Sequence, residues 1–205
     1  MERRYFDLNI EQVLENWEVY HAVREIIANA LDETFLTNAT PVDIFKDEEG
    51  LWHIRDFGRG LNYQHFSQNE SEEKNNTEGI IGKFGVGLKD ALAVFYRHKI
   101  NVEIRSKHGV FHTQMHKKGD FGDLETLHVS VFEAEMPDFI GTEFILSVSD
   151  IDMTKAKQLF LTFISEQPLE STEIGEIYIN NGGLLLYMLM EFKLQKKRTI
   201  CLITI

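Results

Sequence analysis

The chain has 205 residues, 43% of them hydrophobic, enough to bury one good core and too apolar for a disordered polymer. Its 21 Lys and Arg against 33 Asp and Glu leave a formal net charge of −12, so the domain as a whole is repelled by a phosphate backbone and direct nucleic-acid binding is disfavoured. The apolar runs fall short of a bilayer span, Met1 to Asp7 lacks the apolar run of a signal peptide, and the single cysteine, Cys201, has no partner for an intrachain disulfide. These features predict a soluble intracellular protein outside any membrane, without separating cytoplasm from nucleus.

In chain order, Ile10 to Trp17 and Tyr20 to Leu36 read as helices, and Asn38-Ala39-Thr40-Pro41 breaks the second. At ~100° per residue that second helix gathers Glu25, Asn29 and Asp32 within an arc of roughly 60°, with Val23, Ile27, Ala30 and Leu31 opposite. Two short strands follow, Val42 to Lys46 and Leu51 to Asp56, joined by the polar turn Asp47-Glu48-Glu49-Gly50. Asp56 closes the second strand and leads into Phe57-Gly58-Arg59-Gly60. Ser67 to Gly79 holds no large apolar residue and reads as a long loop or lid.

Gly85 to Tyr96 reads as the next helix, entered through Gly82, Gly85 and Gly87. Asn101 to Arg105, Val110 to His116, Glu125 to Phe132 and Thr142 to Val148 alternate as strands, and Asp152 to Glu166 is a further helix. This order predicts an α+β fold with two layers, helices packed on one mostly antiparallel sheet. A domain over residues 1–150, with a lid at about 67–87, is expected. Residues 151–205 then form a C-terminal helix and strand, read either as the truncated start of a following domain or as a genuine strand on this one. Their apolar run Gly182 to Met188 reads as a strand without a partner, and Lys196-Lys197-Arg198 is a basic patch.

Three boxes carry the chemistry: Glu25-x-x-x-Asn29-Ala30-x-Asp32, Asp56-x-Gly58-x-Gly60 and Gly82-x-x-Gly85-x-Gly87. An acid, an amide and a second acid on one helical face are costly to bury unless a cation or ligand meets them. Glycines at the start of a helix leave bare N–H groups and the positive helix end for phosphates. The order is neither the P-loop pattern nor the Rossmann fingerprint. His108, His112 and His116 do not converge on a metal across a hairpin, and Lys83 and Lys89 read as solvated side chains, with help toward the phosphates as the alternative.

At these boxes the chain resembles the GHKL superfamily of ATPases, which includes the DNA gyrase B subunit, heat-shock chaperone ATPases, MutL mismatch-repair proteins, sensor histidine kinases and the microrchidia proteins. The segments Val23 to Asp32 and Ile81 to Lys89 are most similar to the chaperone and microrchidia branches. The resemblance covers about residues 5 to 150 and implies the Bergerat fold with ATP and Mg2+ as cofactors. It implies Glu25 as general base toward the attacking water, work worth ~10²–10⁴-fold in rate. Asn29 would be the magnesium ligand, Asp56 the acceptor for the adenine amine, and Asp32, Gly58, Gly60 and Thr142 its supporting set. Gly82, Lys83, Phe84, Gly85, Val86 and Gly87 would hold the phosphates.

The activity so implied is Mg-ATP binding with slow hydrolysis, driving lid closure and switching or dimerisation of a larger protein toward an unknown client. Members that hydrolyse ATP efficiently often take a basic residue from a following domain, so hydrolysis by this chain alone is expected to be slow. A non-hydrolysing ATP-gated interaction module and a sensor-kinase-type phosphotransfer domain are the alternatives.

Overall fold

The computed structural model describes residues 4–8, 16–67, 87–117, 125–132, 138–163, 170–171, 175–179, 185–189 and 203–204. Strand β1 (Arg4–Asp7) is followed by helix α1 (Val19–Thr37), the hairpin β2 (Asp43–Lys46) and β3 (Trp52–Arg55), and the short helix α2 (Gln64–Ser67). Helix α3 (Gly87–Arg97) leads into β4 (Val102–Ser106), β5 (Gly109–Lys117), β6 (Glu125–Phe132), β7 (Thr142–Leu146) and helix α4 (Asp150–Lys157). The first seven strands make one sheet in the order β1-β6-β5-β4-β7-β3-β2, with every pairing antiparallel. The expected α+β class and antiparallel sheet are therefore present. The expected helix from Ile10 to Trp17 falls largely on residues 9–15, outside the described ones.

Helix α1 is apolar around most of its circumference. Ala22, Val23, Ile26, Ile27, Ala28 and Ala30 are all buried, which a helix needs when it has neighbours on several sides. It packs against α3, α4 and β3. It stops because Asn38 turns left-handed at φ 52°, while the N–H of Ala39 returns to the Thr34 carbonyl at 3.2 Å. On the sheet, register sets Ile54, Phe144 and Ile104 side by side, with Leu146 next to Trp52 and Val102. Ala91, Leu92, Val94 and Phe95 from α3 and Met153 and Ala156 from α4 complete the core. Each such large side chain contributes about 1.5–3 kcal/mol on burial.

The opposite face of the sheet is polar, as period-two alternation requires. Glu143 lies in register between Arg55 and Arg105, and the ring nitrogens of His53 stand 3.1 Å from Glu143 Oε1 and 3.1 Å from Asp47 Oδ2. Helix α4 starts two residues earlier than expected, because Ser149 accepts the Asp152 N–H at 3.1 Å as its cap. It also ends much earlier, with a 3-10 turn at Leu161–Phe163 beyond it.

One chain path matters for the site. From β3 the chain runs through α2 and α3 before re-entering the sheet at β4, and β7, arriving last, pairs with both β3 and β4. The end of β3, the start of β7 and the end of β4 thus meet at one end of the sheet.

The C-terminal region departs from expectation. Strands β8 (Glu170–Ser171), β9 (Gly175–Ile179), β10 (Leu185–Leu189) and β11 (Ile203–Thr204) form a second antiparallel sheet in the order β11-β10-β9-β8. The apolar run that looked unpartnered pairs from Leu185 to Leu189 with Ile179 to Gly175.

Candidate functional site

The site has two halves. At the sheet end, Asp56 follows β3 and is 5% exposed. Its Oδ1 accepts the N–H of Gly58 at 2.9 Å and that of Thr142 at 3.3 Å, while its own N–H donates to the Thr142 carbonyl at 2.9 Å. Burial pushes the carboxyl up to about 6, and the nearby Glu33 charge adds to this against the two N–H donors.

Two glycines allow this close approach. Gly141 has φ +80° and a Cβ there would overlap the carbonyl of Asp56; Gly60 has φ +86°, and its Cβ would stand 3.1 Å from the Gly141 carbonyl oxygen. Thr142 Oγ1 accepts the Leu61 N–H at 2.9 Å, and Ser106 Oγ donates to the Leu61 carbonyl at 2.5 Å while accepting the His108 N–H at 3.0 Å. β3, β7 and β4 are therefore tied to the Gly58–Leu61 turn through side-chain oxygens.

Sequence reasoning missed the residue that ties this turn to α1. Glu33 Oε1 accepts the N–H of Arg59 at 2.8 Å and its Nε at 2.9 Å, and Oε2 accepts from the guanidinium at 2.9 Å. A Cβ at Gly58 would stand 2.7 Å from Glu33 Oε1, so the glycine makes room for this carboxylate. The only signal was an acid next to the first box and an arginine inside the second, and nothing in the sequence pairs them.

At the helical half, the arc expected on α1 is present, but it faces the interior more than expected. Asp32 is 1% exposed, and Glu25 and Asn29 are half-buried. Glu25 is paired with Arg24, whose guanidinium also lies 5.3 Å from the Trp17 ring centroid. Gly87, the first residue of α3, meets Glu25 so closely that a Cβ there would overlap the carboxylate. The first and third boxes are thus in contact.

Gly82, Lys83, Phe84, Gly85 and Val86, and nearly all of the expected lid, lie outside the described residues. Lys89 is 5% exposed and its amine is held below the ordinary lysine range by burial, so its reading as a solvated side chain is overturned.

Among the described residues no group of three His, Cys, Asp or Glu is placed to hold a metal. His112 stands 3.8 Å from Glu103, and His116 stacks on Tyr5. A groove of about 850 Å3 opens at the α3–β4 connection, lined by Tyr96, Lys99, Glu103, Arg105 and His112 among others. It contains none of the candidate residues, and Arg105 is already bonded to Glu103 at 2.6 Å. No helix among the described residues is long and apolar enough to cross a membrane.

The fold and site define an α+β protein with a buried carboxylate pinned between sheet and helix. No protein-family model matches the chain. Over 187 residues it is 41% identical to an uncharacterized protein of Mycoplasma pneumoniae, an alignment covering 88% of this chain and 75% of that one. The chain belongs to the family of that Mycoplasma protein.

Proposed function

We propose that the chain is a GHKL-type ATP-binding domain with the two-layer Bergerat architecture, which binds ATP with Mg2+ and hydrolyses it slowly. The observation that carries this reading is Asp56: a buried carboxylate with one oxygen fixed by two main-chain N–H groups where β3, β7 and the Gly58–Leu61 turn meet. An acceptor of that kind suits an exocyclic amine and disfavours a carbonyl at the same place, which selects adenine over guanine. Asn29 would offer a neutral oxygen to a magnesium ion that takes its other ligands from phosphates and water. Glu25, one turn before it, would take a proton from water.

The nucleotide would order the lid and promote contact with a second copy of the chain or a client protein, a shift limited by the differential affinity of ATP for the closed state. One observation favours a second reading, an ATP-gated module without hydrolysis: the Glu25 carboxylate is engaged by Arg24, which competes with its use as a base. The test is thermal stability with Mg-ATP and Mg-GTP. ATP at ~100 times its dissociation constant adds about 2.7 kcal/mol. Equal shifts with both nucleotides, or equal shifts in wild type and Asp56→Asn, defeat the proposal, and release of labelled phosphate separates the two readings.

A further inference from the structure

The near end of the Gly58–Leu61 turn is held by carboxylates from both layers of the fold. From the sheet, Asp56 Oδ1 accepts the Gly58 N–H at 2.9 Å; from α1, Glu33 Oε1 accepts the next main-chain N–H, that of Arg59, at 2.8 Å. Gly58 lets the helix reach this far, because a Cβ there would overlap the Glu33 side chain. Thr142 and Ser106 hold the far end of the turn, at Leu61. The Arg59 side chain is 52% exposed, so its guanidinium contacts are screened by water. The main-chain bond, charge-assisted and free of the cost of immobilising a second long side chain, is the firmer anchor.

Resting on the nucleotide reading above, we propose that Glu33 is a positioning residue for base recognition: through the Arg59 N–H it fixes the turn, and with it the Asp56 carboxylate, relative to α1. The connection is contiguous, from Glu33 to the Arg59 N–H, along the chain to the Gly58 N–H and from there to Asp56 Oδ1. Without Glu33 the near end of the turn keeps only its sheet-side anchor. The Asp56 acceptor then loses its line to the adenine amine, and a hydrogen bond weakens steeply once it is bent. Glu25 and Asn29 lie one to two turns earlier on α1, so contacts to the phosphates and the metal should be left as they are.

The experiment is calorimetric titration of the full chain with Mg-ATP and with Mg-GTP. Wild type should prefer ATP. Glu33→Ala should bind Mg-ATP about tenfold more weakly, the scale of one hydrogen bond no longer held in line, and Mg-GTP nearly as wild type does. Gly58→Ala, at a backbone conformation open to alanine, displaces the Glu33 carboxylate without removing it and should reproduce that loss. Glu33→Gln and Arg59→Ala both keep an acceptor for the main-chain N–H and should stay within about threefold of wild type. An equal loss of both nucleotides in Glu33→Ala marks a merely structural role and overturns the assignment. So does an ATP preference unchanged in both Glu33→Ala and Gly58→Ala, or a loss in Arg59→Ala as large as in Glu33→Ala. A wild type that binds the two nucleotides alike instead overturns the nucleotide reading beneath it.

Discussion

The two halves of the site are built by different forces. Around Asp56 the contacts are main-chain hydrogen bonds and glycine close approaches between β3, β7 and the Gly58–Leu61 turn, so geometry there is set by backbone that cannot relax separately. Around Glu25 the contacts are the ion pair with Arg24 and the close approach of Gly87 from α3, on two helices whose packing is built from apolar side chains. The first half should be rigid and expensive to alter, the second cheap in stability and consequential in ligand response.

The largest effect should come from the rigid half. Gly141→Ala places a Cβ on the Asp56 carbonyl at φ +80°, and a loss of about 3 kcal/mol or more in urea unfolding is expected. A loss under ~1 kcal/mol would mean that the strand ends move apart freely.

Asp56→Asn should act in the opposite direction. The wild-type carboxyl is raised from 3.8 to about 6 on folding, so the folded state holds its proton more tightly than the unfolded state. The associated stability is fully present below about pH 3.8 and is lost as pH rises through about 6. At pH 7 the buried charge costs about 2–3 kcal/mol by this linkage, and the amide, which keeps an oxygen for the Gly58 and Thr142 donors, should recover much of that in the apo protein while losing ATP binding. Unfolding curves from pH 4 to 8 that run parallel for wild type and variant would remove Asp56 as the source.

The link between the halves is smaller. Arg59 is about half exposed, its side chain at 52%, so Arg59→Ala should cost only about 1 kcal/mol despite its bidentate geometry. A double-mutant cycle with Glu33→Ala reads their coupling directly, and a coupling near zero would detach the turn from α1 in energetic terms. Smallest in stability is Glu25→Ala, expected within about 0.5 kcal/mol of wild type. Its nucleotide affinity should persist while phosphate release falls; unchanged release would take Glu25 out of the chemistry.

Local signals made much of the fold legible. The 3.6-residue pattern and the Asn38–Pro41 break placed α1 within a residue at each end, and alternation with turn residues located β2 to β7 closely. β1 was not legible, because Arg-Tyr-Phe-Asp is too short to show a period and is a strand only through its pairing with β6. The second sheet was not legible, because each of its short strands is defined only by its pairing with another. In the site, the Glu25–Asn29–Asp32 arc follows from helix geometry, but the burial of Lys89 and the Glu33–Arg59 pair do not, since each depends on which neighbour lies above the side chain.

Sequence alone therefore determined what local periodicity can encode: the helical face bearing Glu25, Asn29 and Asp32, the strand ending in Asp56, and a two-layer antiparallel α+β arrangement. Tertiary structure decided what these residues meet. Thr142 is 86 residues from Asp56 along the chain and reaches it only because β7 slides between β3 and β4. Gly87 reaches Glu25 only because α3 packs on α1. Hydrogen-bond register and helix packing are properties of pairs of distant segments, and no window of sequence contains both members of such a pair.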